Sequence, residues 1–206
     1  MAYIEFKSKE MIGDWVKKNY GQWIKSIQKD KYSCFDDDIA SLLFCYSGNM
    51  NEIYNKLLRG WNLGLSKEDI DLYNKQIEII NNEILNHQIN DNIITCRFTG
   101  TKLIKCLNNG NRIKNGTVFV DNAFVSTTLL PSLMFSFARE RKYNCLLKIY
   151  IPKGSNALYL KFNKSRLDEE ELLLPLGCAF KVKNKYYDFK IMKVVYECDL
   201  LETNRK

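Results

Sequence analysis

The chain has 206 residues, 46% of them hydrophobic and 27% charged, with only 10 Gly and 3 Pro. This is the composition of a packed globular protein and excludes collagenous or disordered chains. The formal net charge of +7 comes from scattered rather than clustered basic residues. It indicates no nucleic-acid arm, although a mildly basic surface favours an anionic ligand or an acidic partner.

Other classes fall away on composition too. No window reaches the roughly 18 apolar residues that a membrane span needs. Residues 1–13 mix charged and apolar side chains with no apolar core, so no signal peptide is expected. The 7 cysteines (34, 45, 96, 106, 145, 178 and 198) are odd in number and form no C-x-x-C pair. They read as thiols in a reducing cytosol. A single histidine, His87, argues against a zinc site and against Ser-His or Cys-His nucleophile systems, and it reads as a surface residue. No metal is expected, and any catalysis must use carboxylates, arginines and hydroxyls.

In chain order, residues 1–90 read as helical. Phe6, Met11, Ile12, Trp15 and Val16 repeat at a helical spacing over 5–20. Gly21 is expected to interrupt, with a second helix over 23–27. The run Asp36-Asp37-Asp38 marks a helix N-terminus before residues 39–46. A short helix follows over 51–58, stopped by Gly60. Ser66-Lys67-Glu68-Asp69 resembles a capping box. Ile70, Tyr73, Ile77, Ile80, Ile84 and Leu85 then predict a long helix to about residue 86.

From about residue 93 the period changes to 2, predicting strands over 93–98, 117–120, 123–128, 145–151, 158–160, 171–174, 179–182 and 187–197. Turn signals fall at Asn108-Asn109-Gly110, Pro152-Lys153-Gly154-Ser155 and Lys183-Asn184-Lys185. A helical island covers 132–141. The expected architecture is α+β: N-terminal helices packed on a two-sheet, mainly antiparallel β core. One domain is expected over 1–206, helical over 1–90 and β-rich over 91–206.

Three features of the β-rich part carry candidate chemistry. Arg97 lies within the apolar strand Ile93–Phe98, where a guanidinium fork suits a phosphate or carboxylate, or pairs with a surface acid. Ser126-Thr127-Thr128 puts three hydroxyls on one strand, for a ligand or simply because threonine favours strands. Glu169-Glu170-Glu171 runs into Leu172-Leu173-Leu174-Pro175. In extended chain Glu169 and Glu171 share a face, a repulsion that chemistry on a cation would justify. A solvated loop is the plainer alternative.

In this order and spacing, the three motifs resemble the Arg / Ser-Thr-Ser / Glu-x-Glu class of mono-ADP-ribosyltransferases. Members of that class include clostridial actin-modifying toxin subunits and Rho-modifying exoenzymes. Tyr46-Ser47-Gly48 with Asn55-Lys56-Leu57-Leu58-Arg59, Phe137-Ala138-Arg139, and Gly177-Cys178-Ala179-Phe180-Lys181-Val182 add to the likeness, which covers roughly residues 40–200. Two positions depart from it: Thr128 replaces a serine, and Phe98 stands where some relatives have a second arginine.

The resemblance implies NAD+ as substrate and transfer of ADP-ribose to a protein side chain, with release of nicotinamide. Glu171 would stabilise the ribosyl cation and Glu169 would serve the acceptor. With glutamate at 169, that acceptor is implied to be arginine. Arg97 would grip the NAD+ phosphate, and Ser126 would hold the nicotinamide-ribose pocket and position Glu171. Thr127 and Thr128 would support that strand at the NAD+ site, and Glu170 would point away and be dispensable. Phe137 would stack on nicotinamide, Arg139 or Arg141 would contact phosphate, and Tyr46 and Arg59 would wall the pocket. Residues 161–168 would meet the protein acceptor, with actin or a small GTPase as candidates. Such a chain would be a toxin, effector or phage protein acting inside a host cell. An NAD glycohydrolase and a non-catalytic NAD-binding module remain the alternatives.

Overall fold

The computed structural model describes residues 2–33, 36–161 and 169–201. Helix α1 (Lys9–Ile27) starts at Ser8, whose hydroxyl accepts from the Met11 N–H at 3.3 Å. It buries Ile12, Trp15, Val16 and Tyr20 along one face. The expected break at Gly21 does not occur, because burial of that stripe outweighs the roughly 1 kcal/mol glycine penalty. Helix α2 (Ile39–Cys45) is capped by Asp38. A π-helical segment, Tyr46–Met50, then bends at Gly48 (ψ −113°) and redirects the chain into α3 (Asn51–Leu58). Helix α4 (Lys67–Leu85) begins as expected at Ser66, which accepts from the Asp69 N–H at 3.1 Å.

Among the described residues nine strands are hydrogen-bonded together: β1 (Ile4–Glu5), β2 (Ile93–Thr99), β3 (Val118–Asp121), β4 (Val125–Thr128), β5 (Cys145–Ile151), β6 (Leu158–Leu160), β7 (Glu171–Leu174), β8 (Cys178–Asp188) and β9 (Lys193–Leu201). Their order is β3-β8-β9-β5-β2-β4-β7-β6, with β1 beside β2. The pairs β1–β2 and β5–β9 are parallel; the rest are antiparallel. In place of the expected two sheets there is one continuous, mainly antiparallel sheet whose two arms meet at β2. Their junction is the single pair Cys96↔Thr128 between β2 and β4. A sheet pinned so narrowly can open into a cleft at that point.

One core cluster joins helical residues such as Ile12, Leu43, Ile80 and Ile84 to strand residues such as Ile93, Phe124, Leu158 and Leu173. Tyr20 anchors α1 to the strand region by donating its hydroxyl to the Ala157 carbonyl at 3.0 Å. Contrary to expectation, His87 is no surface residue. Its side chain is 18% exposed, bonded to Glu83 and packed against Trp23.

Three local expectations differ from the structure. Residues 187–197 are not one strand: β8 runs to Asp188, the chain turns, and β9 begins at Lys193. The Lys183-Asn184-Lys185 turn signal is instead a register shift within β8, because pairing with β9 overrides local turn propensity. A helix that the periodicity missed, α5 (Thr101–Leu107), follows β2 directly. The helical island is a 3₁₀ turn, Pro131–Met134, followed by α6 (Phe135–Glu140).

The cysteines also divide. Cys96, Cys106, Cys145, Cys178 and Cys198 are in no disulfide, but Cys45 is disulfide-bonded. Cys34 lies outside the described residues. The reading of seven reduced thiols is therefore corrected at Cys45.

Candidate active site

A cavity of about 450 Å³ lies where the two arms of the sheet diverge, within the usual range for a small-ligand site. Its floor is built by β2, β4 and the start of β7. One wall comes from α3 and the π-helical segment; the other comes from α6 and Tyr143.

The register explains how the motifs meet. Thr128 on β4 stands opposite Glu171 on β7, and Ser126 opposite Leu173. Ser126 and Glu171 are thus diagonal neighbours on one face. The Ser126 hydroxyl donates to the Glu171 carboxylate. Glu171 is 7% exposed and still lines the cleft. Beside it, Arg97 of β2 donates to the Ser126 carbonyl at 3.1 Å. Glu169 also lines the cleft, one turn residue before the strand.

The other two hydroxyls are engaged with the backbone. Thr127 donates to the Leu172 carbonyl at 2.8 Å, fastening β4 to β7. Thr128 donates to the Glu169 carbonyl at 2.7 Å and accepts from the Leu130 N–H at 3.1 Å. Both bonds fix the turn that presents the two carboxylates.

Glu170, expected to point away and be dispensable, is half-buried and has contacts of its own. Its φ is 46°, a left-handed conformation that is strained for a non-glycine residue. Tyr159 on β6 donates its hydroxyl to the Glu170 carboxylate, and the Glu170 carbonyl accepts from the Leu129 N–H at 3.0 Å. The residue is clamped from both sides.

On the helical wall, Tyr46 is fully buried and accepts from the Asn55 amide at 3.3 Å. Burial pushes the Tyr46 phenol well above its ordinary range, and the nearby Glu171 carboxylate adds to the effect. Arg59 lines the cleft, but its guanidinium is held bidentately by Asp121, at 3.0 and 2.8 Å. Asp121 is 2% exposed and also accepts from the Ala123 N–H. Sequence reasoning missed Asp121. Nothing local distinguishes this acid at the end of a strand, and its partner lies 62 residues away.

Across the cleft, Phe137 packs edge-on to Tyr143, with the Arg141 guanidinium carbon 5.4 Å from its ring centre. Of the two candidate arginines, Arg141 lines the cleft. The other, Arg139, is exposed at the end of α6 and is not among the residues lining the cavity. Arg139 lies within α6 and Arg141 is its C-cap, so the two side chains leave the helix end in different directions. Phe98 fills the position of the second arginine with a buried ring packed edge-on to Phe135. Trp61, 50% exposed, joins the cleft lining after α3 and was not anticipated. The expected acceptor loop falls mainly on residues 162–168, which lie outside the described residues. No group of three or more potential metal ligands occurs among the described residues.

A cleft floored by a strand arginine, a hydroxyl strand and a Glu-x-Glu turn has the layout of the NAD-dependent ADP-ribosyltransferases. The family model for ADP-ribosyltransferase exoenzymes matches residues 13–201, and the chain belongs to that family. No curated protein matches it significantly. Solved structures do. C3stau2 from S. aureus, determined with NAD, is 19% identical with a TM-score of 0.71, over 98% of this chain and 99% of that one. Plx2a, an ADP-ribosyltransferase toxin from Paenibacillus larvae, is 22% identical with a TM-score of 0.72, covering 98% and 100%. BECa, an ADP-ribosylating toxin of a C. perfringens binary enterotoxin determined with NADH, is 22% identical with a TM-score of 0.74. This chain covers only 50% of BECa. At these identities the likeness establishes the fold.

Proposed function

We propose that the chain transfers ADP-ribose from NAD+ to an arginine of a host protein and releases nicotinamide. The observation that carries this reading is the buried Glu171 carboxylate, held by Ser126 in the same cleft as Glu169. As the bond between ribose and nicotinamide breaks, its electron pair leaves with nicotinamide and positive charge develops on the ribose carbon. A fixed carboxylate in a partly dry site stabilises that charge and accepts a hydrogen bond from the 2′-hydroxyl. Glu171 takes this role, and Ser126 prevents its rotation.

Arg97 and Arg141 supply positive charge for the diphosphate. Phe137 offers a ring face to nicotinamide. Tyr46 and Arg59 wall the NAD+ site, while Thr127 and Thr128 act through the strand they fasten. Glu169 orients the incoming guanidinium and takes its proton; an always-charged guanidinium is a poor nucleophile without such a base. The structures of C3stau2 with NAD and BECa with NADH support NAD+ as the donor. Membership of an exoenzyme family supports a protein exported before it acts.

The test is nicotinamide release from NAD+, with parallel incorporation of labelled ADP-ribose into host-lysate proteins. Glu171→Gln should lower both by about 100- to 1000-fold. Glu169→Gln should abolish incorporation while sparing release. If Glu171→Gln leaves release intact, the assignment is wrong. If wild-type release is unaffected by lysate and nothing becomes labelled, water is the acceptor and the protein is an NAD glycohydrolase.

A further inference from the structure

The turn joining β8 to β9 exposes side chains that a soluble protein ordinarily hides. Phe189 is 79% exposed and Met192 66%, with Tyr187 beside them at 43%. They form one cluster: the Tyr187 and Phe189 rings meet edge-on with centres 5.0 Å apart, and the Tyr187 hydroxyl lies 3.9 Å from the Met192 sulfur. The turn beneath is built rather than loose. Asp188 accepts from the Lys190 N–H at 2.8 Å and the Ile191 N–H at 3.4 Å, and Met192 sits at φ 54°. Ile191 turns inward onto the Phe98–Val195 cluster, leaving its neighbours outside.

Basic side chains outnumber acids on the exposed rim of this tip, where the acids are Asp188 and, behind Tyr186, Glu197. Lys190 lies on it, and Lys185 lies behind it. Arg112 and Lys114 flank Tyr187 across a groove of about 800 Å³. Of the acids nearby, Asp188 is bound into the turn, and Asp199 pairs with Lys183 at 2.8 Å.

From this arrangement we infer that the β8–β9 turn docks the enzyme on an anionic lipid bilayer. Phe189 and Met192 enter the headgroup boundary, and Arg112, Lys114 and Lys190 face acidic lipid headgroups, while Lys185 is held by the Ile113 carbonyl at 3.3 Å. Aromatic and thioether side chains that project together favour the interfacial layer, and a basic rim supplies the second of the two signals that stable surface binding needs. The apolar tip alone would suit another protein equally well. Charge complementarity selects the membrane. The same turn abuts the cleft wall, since Lys193 donates to the Tyr143 carbonyl and Tyr143 lines the cleft. Docking would therefore hold the cleft near acceptors on a membrane surface.

Co-sedimentation of the full chain with phosphatidylcholine vesicles, with and without about a quarter phosphatidylserine, tests this. Binding should require phosphatidylserine and fall with salt. Phe189→Ser with Met192→Ser should abolish it, and Lys190→Gln and Arg112→Gln should weaken it about fivefold each. Nicotinamide release in solution should be unchanged in all three variants, which separates failure of docking from failure of the proposed catalytic site. The inference is overturned if the wild type ignores both vesicle types, if it binds both equally, or if the tip variants bind like wild type. It is equally overturned if sedimentation velocity shows a dimer that the tip variants dissolve, which would assign the tip to a second copy.

Discussion

Tyr159 donates its hydroxyl to the Glu170 carboxylate, tying the edge of β6 to the strained residue between the two cleft glutamates. The bond has a partner inside the turn, where Thr128 holds the Glu169 carbonyl. The positions of Glu169 and Glu171 therefore depend on a residue that itself lines no part of the cleft. Burial and the Glu170 bond push the Tyr159 phenol above its ordinary range, so it remains a donor throughout the working pH range.

Tyr159→Phe and Glu170→Ala should each lower kcat for ADP-ribose transfer about 10- to 100-fold, the scale of a small misplacement of reacting groups. KM for NAD+ should change little, because Arg97 and Arg141, proposed to hold the phosphates, are untouched. Glu170→Gln keeps an acceptor for the phenol and should be milder. Steady-state kinetics of the three variants checks the order. Equal kcat in all of them would show that the turn holds itself without the clamp.

Arg59 and Asp121 form the other pair on which the cleft depends. Their side chains are only 11% and 3% exposed. Removing one partner leaves an uncompensated charge away from water, at about 3–5 kcal/mol. Arg59→Gln and Asp121→Ala should each lower the thermal midpoint by roughly 10 °C in a chain of this size. Arg59→Met combined with Asp121→Leu should recover part of that loss. Calorimetry or circular dichroism would read it, and additivity of the single effects would argue against a coupled pair.

Glu5 makes a pH-dependent contribution. Hydrogen bonds from Lys7 and then Lys148 hold its carboxyl below the usual value of 4.5. The folded form thus prefers the ionised carboxylate more than the unfolded chain does. The resulting stability is present above the ordinary carboxylate range and lost as pH falls through it. The pair joins β1 to β5 through Lys148, at 3.0 Å. It is partly exposed, so the effect should be modest, about 1 kcal/mol or less. The Tm difference between wild type and Glu5→Gln should be visible at neutral pH and vanish near pH 3. A difference that persisted there would assign it to packing.

Thiol reactivity should divide by position. Burial pushes the Cys96, Cys145 and Cys198 thiols up to about 12. They stay protonated, enclosed and slow to alkylate. Cys106 is exposed on α5. Brief iodoacetamide treatment of the native protein at neutral pH should modify Cys106 and spare those three, as read by peptide mass spectrometry. Labelling of the buried thiols at the Cys106 rate would reveal local opening of β2, β5 and β9.

The sequence alone determined what depends on neighbouring residues. The caps at Ser66 and Asp38 were legible because capping uses hydrogen bonds that span three residues. The strands β5, β6 and β7 were legible because their side chains alternate or cluster with clear ends. The order of Arg97, Ser126-Thr127-Thr128 and Glu169–Glu171 carried the resemblance to the ADP-ribosyltransferases, because motif order along the chain can be read without the fold, and the family model bears out that resemblance.

Only the tertiary structure decided the rest. The Gly48 bend brings Asn55 and Arg59 to the cleft, yet a single glycine reads as a helix stop. That Arg141 lines the cleft and Arg139 does not turns on how the end of α6 packs. Asp121 and Tyr159 act on partners 62 and 11 residues away. The β8–β9 turn lies beyond residues with turn propensity of their own, because cross-strand pairing across Asn184–Asp188 outweighs it. Those outcomes depend on which distant groups are buried together, and local periodicity carries no record of that.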